Sequence, residues 1–313
     1  MTAIPGIEGR LTIDLTVEGD RVGDVAITST RPTRAGQLLQ GRYPEQAVAL
    51  LPLVFAVCGT AQTIAGLRAL EQGGGQVPGS AHEVARQLTL TAENAREHFT
   101  RFLVDGGDWL GRSLSPELLA AAHQWPRRAQ ELLYPDGDFA ALGGGRLAPD
   151  GESLASLAEA IAEAVERSIL GMDPDWFLAR ASLQDAIEAR DNGSGPIGPL
   201  FLDRLRRSGK AAIGNAELAP LPKEREAELA GWLAADTSGI FAARPTWDGE
   251  VRETSPLVRQ RDHRLVGEAL EWWGPGVGAR QVARMVELAD LPGQIRAMGK
   301  AVVAGETDRA PKP

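Results

Sequence analysis

GRYPEQAVALLPLVFAVCGTAQTIAGLRALE, residues 41–71, holds the most apolar run of the chain, Ala47 to Ala61, and its single cysteine, Cys58. Pro44 suits the first turn of a helix and Glu45 complements the positive end of its dipole. A helix is therefore expected to begin near Pro44 and to end or kink at Pro52. Beyond the cysteine, Ile64, Leu67 and Leu70 recur at helical spacing until Gly73-Gly74-Gly75 stops them. Cys58 thus falls near the start of a second helix. Pro52 interrupts the apolar run, which is also too short to span a bilayer, so it reads as a buried helix or helix pair and membrane insertion is not expected.

On the N-terminal side, Leu11, Ile13, Leu15 and Val17 alternate with polar residues. Glu18-Gly19-Asp20-Arg21 follows as a turn, then Val22, Val25 and Ile27, which together predict a β-hairpin over Arg10 to Ser29. Thr33 to Gln40 reads as a short helical turn. Downstream, helices are expected over Ser80–Val104, with Ser80 and Glu83 spaced as a capping box, and over Ser115–Leu133, kinked at Pro126. Further helical patterns cover Ser153–Ile169, Pro174–Ala189, Lys223–Ala235, Pro256–Trp273 and Ala279–Leu291. Glycine and proline crowd Asp191–Pro222, which is expected to be irregular or short β structure. These elements predict an α+β fold, mainly helical with a small N-terminal antiparallel β layer. One domain is expected over residues 1–298, with a disordered tail at 299–313.

Composition narrows the function classes. With 43% apolar and 24% charged residues the chain has enough apolar content for a packed core, and a net charge of −9 argues against a general nucleic-acid binder, which needs a basic face. One cysteine excludes an internal disulfide framework and fits a reducing compartment. The start, MTAIPGIEGR, has neither a basic n-region nor an apolar h-region, so a cytoplasmic protein is expected.

The common catalytic patterns are missing. His82, His98, His123 and His263 are scattered, with no HExxH, so a self-contained zinc cage is not expected. GGGQVPGS and GGGRL lack the Lys-Ser/Thr of a phosphate loop. Gly274-Pro275-Gly276-Val277-Gly278 reads as a helix–helix turn, and carboxylate pairs such as Asp105 and Asp108 read as helix caps. A helix start favours thiolate over thiol, so Cys58 is conceivable as a nucleophile, although nothing in the sequence selects a histidine partner. Equally, a lone cysteine in so apolar a run reads as a core residue, since free cysteine is among the most buried side chains.

The residues also carry a resemblance. Ile7-Glu8-Gly9 before the hairpin, Gly41-Arg42 with Pro44, and a cysteine followed by a helix with Arg68-Ala69 and Glu71 occur in the order seen at the start of the large subunit of NiFe hydrogenases. Glu253-Thr254-Ser255-Pro256-Leu257 with Arg259 resembles an E-x-G-P-L-A-R segment of the same subunits. The departures carry as much information. An R-x-C-G-x-C motif of the large subunit falls on Leu53 to Cys58 here. Cys58 takes the place of the cysteine that bridges nickel and iron, Phe55 replaces the terminal nickel ligand, and Gln62 replaces a histidine. A second cysteine pair and an A-P-R-G segment are absent.

In this combination the sequence is similar to the HupK/HoxV-type hydrogenase maturation accessory proteins. The resemblance implies a large-subunit-like domain that is not an enzyme. Such a scaffold would hold or transfer an iron unit carrying cyanide and carbon monoxide, bound transiently, and no nickel. Cys58 would be its metal ligand, with Glu8 and Gln62 beside the cargo. The implied partners are a HypC-type chaperone and the hydrogenase large-subunit precursor, and neither nucleic acid nor membrane. Two other readings remain: a metal-free docking module that mimics the large subunit, and a thiol enzyme using Cys58.

Overall fold

The computed structural model describes residues 9–33, 35–113, 115–188, 195–222 and 225–305. It is 63% helical with one two-stranded antiparallel sheet, an α+β composition in agreement with the sequence. The helices of ten residues or more among the described residues are α1 (Pro44–Val54), α2 (Gly59–Gly74), α3 (Ser80–Arg101), α4 (Pro116–Leu133), α5 (Gly151–Val165), α6 (Ile197–Arg207), α7 (Glu226–Ala235), α8 (Arg264–Trp273) and α9 (Val277–Ala304). The chain divides into two compact units. One comprises the described residues up to Leu50 with Leu221–Arg252, and the other Leu51–Pro220 with Glu253 onward.

In the first unit, β1 (Leu11–Glu18) and β2 (Arg21–Ser29) pair in antiparallel register, Ile13 opposite Ile27 and Leu15 opposite Val25. Gly19 turns the chain with a φ of 67°, a conformation that suits a residue without a Cβ. The expected helical turn is a 3-10 turn at Ala35–Leu39. Around α7 the aromatic rings of Trp232, Phe241 and Trp247 meet edge to face, with the Arg225 guanidinium over Trp247. Trp247 is buried, so this cluster is the apolar centre of its segment.

The second unit is a helical bundle. Val84, Leu88, Ala92, Ala95 and Phe99 form one buried stripe along α3 at three- and four-residue spacing. That helix packs against α2, α4 and α9, and α9 packs in turn on α5 and α8. Gly299 on α9 faces Leu154 and Leu88 at a distance where a Cβ would make ordinary contact with both.

Several boundaries differ from the sequence expectation, each for a local reason. Helix α3 begins on Ser80 itself, one residue earlier than a serine cap would place it, with Gly79 before it, and the Glu83 carboxylate pairs with Arg68 and Arg86. Helix α4 runs through Pro126 over the expected length, whereas α9 continues through Pro292, past its expected end at Leu291. Tertiary packing on both sides of each proline outweighs the lost hydrogen bond. Pro174–Ala189 is two short helices, because Ser182 and Asp185 form a capping box that starts a new one at Leu183. The glycine-rich Asp191–Pro222 region contains α6, whose Ile197, Leu202 and Leu205 face the core. Its prolines, Pro196 and Pro199, sit before and within the first turn, where no intrahelical N–H is needed. Helix α9 runs to Ala304, six residues past the boundary at 298. Residues 306–313 of the expected tail lie outside the described residues.

Candidate functional site

Cys58 is the residue before α2, half-buried, and the chain reaches it through a tight turn in which its N–H donates to the Phe55 carbonyl at 3.1 Å. Gly59 follows with its α-carbon against Pro52: a Cβ would lie 3.2 Å from the proline ring, so glycine keeps the helix start close to the preceding segment. Helix α2 then ends on Gly75 in the left-handed conformation.

Two side chains from α3, one turn apart, hold this turn in place. The Glu93 carboxylate accepts the N–H of Thr60 at 2.8 Å and of Ala61 at 2.9 Å. It therefore acts as a cap supplied from another helix, satisfying two donors that an α-helix start leaves unpaired. Arg96 donates through Nη2 to the Val57 carbonyl. Both residues are nearly fully buried. Cys58 is thus flanked by a carboxylate clamp on its C-terminal side and a guanidinium clamp on its N-terminal side.

The polar group at the sulfur is the Gln62 carboxamide, whose Nε2 lies 3.9 Å from Sγ, one turn along α2. Sequence reasoning placed Gln62 beside Cys58, and the structure brings the two together. Glu8, the third residue singled out, lies outside the described residues. The two clamp residues, Glu93 and Arg96, line a groove of about 300 Å3 together with Pro52, Gly59, Thr60, His123 and Phe139; Gly59 is the residue after Cys58, and Cys58 itself is not part of the lining. Leu53 and Val57, shortly before Cys58 in the chain, are exposed at 75% and 57%.

The motif-like residues elsewhere have structural partners. Glu71 forms a two-point ion pair with Arg86 at 2.6 and 2.8 Å and accepts the Gly143 N–H, while Arg68 pairs with Glu83. Both contacts fasten α2 to α3. Burial pushes the Glu71 pKa up, but hydrogen bonds from Arg86 and Gly143 outweigh it and hold the carboxylate below its ordinary range. In the Glu253–Arg259 segment, Glu253 accepts from Arg280, and Arg259 donates to Glu287, both partners on α9. Glu287 also meets His98 at 2.7 Å. Burial raises its pKa, but the Arg259 and His98 bonds bring it down to about 2. The Gly274–Gly278 turn joins α8 to α9 and offers no anion site: the Val277 and Gly278 N–H groups donate to Ile213 and Ala211 carbonyls.

No group of three or more His, Cys, Asp or Glu suited to a metal ion occurs among the described residues. A fully protein-built cage is therefore absent from them, whereas a single thiolate with a neutral amide donor suits a soft metal fragment that brings most of its own ligands. Glu93 and Arg96 were missed by the sequence reading. A charged pair on an amphipathic helix reads as solvated, and their partners lie more than thirty residues away.

Fold and site together define a mainly helical protein with one braced, half-buried cysteine at a helix start. Its homologues are hydrogenase expression/formation proteins. It is 31% identical over 263 residues to the hydrogenase expression/formation protein HoxV of Cupriavidus necator, a match covering 83% of this chain and 62% of that protein. Shorter matches join it to HupV of Azotobacter chroococcum, 33% identical over 30% of this chain and 28% of the relative, and to HupK of Rhizobium leguminosarum, 28% identical over 37% and 34%. The matched region thus spans less than two thirds of each relative. No family model matches the chain. No helix among the described residues is long and apolar enough to cross a membrane.

Proposed function

We propose that this chain is a non-catalytic scaffold in NiFe hydrogenase maturation. It holds an iron unit bearing cyanide and carbon monoxide on the Cys58 thiolate and passes it to the large-subunit precursor, in concert with a HypC-type chaperone. Hydrogenase expression/formation homologues support the process. The observation that carries the site is the bracing of Cys58: a half-buried cysteine before a helix, with the backbone on either side of it held by Glu93 and Arg96. A core cysteine would need no such bracing. The group at Sγ, the Gln62 amide, has no basic lone pair to take a proton, which disfavours the thiol-enzyme reading. One thiolate also cannot complete a four-sulfur nickel site.

Infrared spectra of protein purified from a maturation-competent host test the proposal. Carbonyl and cyanide stretches are expected in the unmutated protein and should vanish in Cys58→Ser. If the unmutated protein lacks them while the chaperone from the same host carries them, the iron-holding role is wrong. The exposure of the apolar Leu53 and Val57 favours one further reading, a metal-free module that docks maturation proteins. In that case Cys58→Ala keeps hydrogenase activity in the host, and Leu53→Glu loses it.

A further inference from the structure

Alternation along β1 and β2 puts Leu11, Ile13, Leu15 and Val17 on the same face of the hairpin as Val22, Val25 and Ile27. All seven are more than half exposed. The charged residues of the ribbon, Asp14, Glu18, Asp20, Arg21 and Asp24, lie on the other face or at the turn, so the apolar face carries no charge. Nor does it have the edge lysine, proline or inward charge with which exposed strands are usually protected. A two-stranded ribbon alone is marginal in water, and seven half-exposed aliphatic residues amount to apolar surface on the order of 500 Å2, as large as the biggest patch on a typical monomer.

We infer that this face is a homodimer interface, covered by the same face of a second copy. The size of the patch supports this occupant: two such faces bury roughly 1,000 Å2, the lower bound for a specific interface. Charge placement agrees, because stacking the apolar faces turns the acidic residues of both ribbons outward, where no like charges meet across the seam. The rows Ile13–Ile27 and Leu15–Val25 lie side by side near the middle of the ribbon, so a two-fold axis between them sets aliphatic rows on aliphatic rows. With −9 charges on each copy, long-range repulsion opposes the pairing and is screened by salt. Such a dimer tightens as salt rises, the reverse of one held by ion pairs.

Sedimentation velocity of the purified full chain tests the inference. A reversible dimer is expected, stronger in 0.5 M than in 0.05 M sodium chloride. Leu15→Glu should raise its dissociation constant by more than about tenfold, since the charge enters the seam twice, and Thr16→Glu on the opposite face should leave it unchanged. A second variant guards against loss of the hairpin: Leu15→Cys in a Cys58→Ser background should be linked to its own copy by a short bismaleimide, and Thr16→Cys should not. A wild-type chain that stays monomeric at about 100 µM in high salt, a dimer indifferent to Leu15→Glu, or a monomer whose hairpin amides are protected from exchange would each overturn the assignment.

Discussion

Replacing Glu93 by alanine removes both acceptors of the Thr60 and Ala61 N–H groups at once. Hydrogen bonds to a charged group are worth about 1.5–3 kcal/mol each, and loss of a helix cap alone costs about 1 kcal/mol. Water entering the neighbouring groove recovers part of this, so a net loss of about 2–4 kcal/mol is expected. Glu93→Gln, which retains one carbonyl oxygen, should lose about half as much. The effect has a local component, because the helix start beside Cys58 opens without the clamp. Two measurements read it: urea unfolding for the global loss, and alkylation of Cys58 under native conditions, which should speed up by about tenfold or more. An unfolding free energy within about 0.5 kcal/mol of wild type, with an unchanged alkylation rate, would refute the clamp.

Glu287 titrates from an ordinary 4.5 to about 2 in the folded state, so its contribution is complete above 4.5 and is lost as pH falls toward 2. That step is worth about 3 kcal/mol, and Glu287→Gln should flatten the acid limb of a stability-against-pH curve below 4.5. Arg86→Leu strands the buried Glu71 carboxylate and should cost about 3–5 kcal/mol in urea unfolding, whereas the double variant Arg86→Leu/Glu71→Leu should cost less than the single one. Gln62→His places an imidazole one turn from Sγ, so the pH profile of Cys58 alkylation should gain an inflection in the ordinary histidine range, about 6.5.

The sequence read best where the physics is local. The hairpin followed from period-two alternation and Gly19, and the position of Cys58 before α2 from the glycines and the Ile64–Leu67 spacing. It read worst where packing overrides local preference. Helix α6 lies in a segment whose glycines and prolines signal turns, and Pro292 does not end its helix at Leu291 because buried neighbours on either side hold it. The site divides in the same way. Gln62 is legible as the residue one turn beyond Cys58, but Glu93 and Arg96 act at a distance that only the fold closes. Glu71 and Arg259 stood out as motif residues, and their contacts are helix-to-helix ion pairs.

Two of the positions where the sequence departs from the large-subunit pattern, Phe55 and Gln62, lie within about one turn of Cys58. Phe55 contributes its carbonyl to the Cys58 N–H and a ring with no donor atom, and the Gln62 N–H donates to the Cys58 carbonyl while its amide reaches the sulfur. Neither side chain changes charge between pH 4 and 10, and neither is a soft ligand. On the proposed role this matters at hand-over. A fragment held by one protein sulfur leaves when one protein–metal bond breaks, whereas each added thiolate would be another bond to exchange. The clamps then serve a purpose distinct from ligation: with only one donor, the position of the cargo depends on how firmly that donor is held, and Glu93 and Arg96 fix the backbone on either side of it.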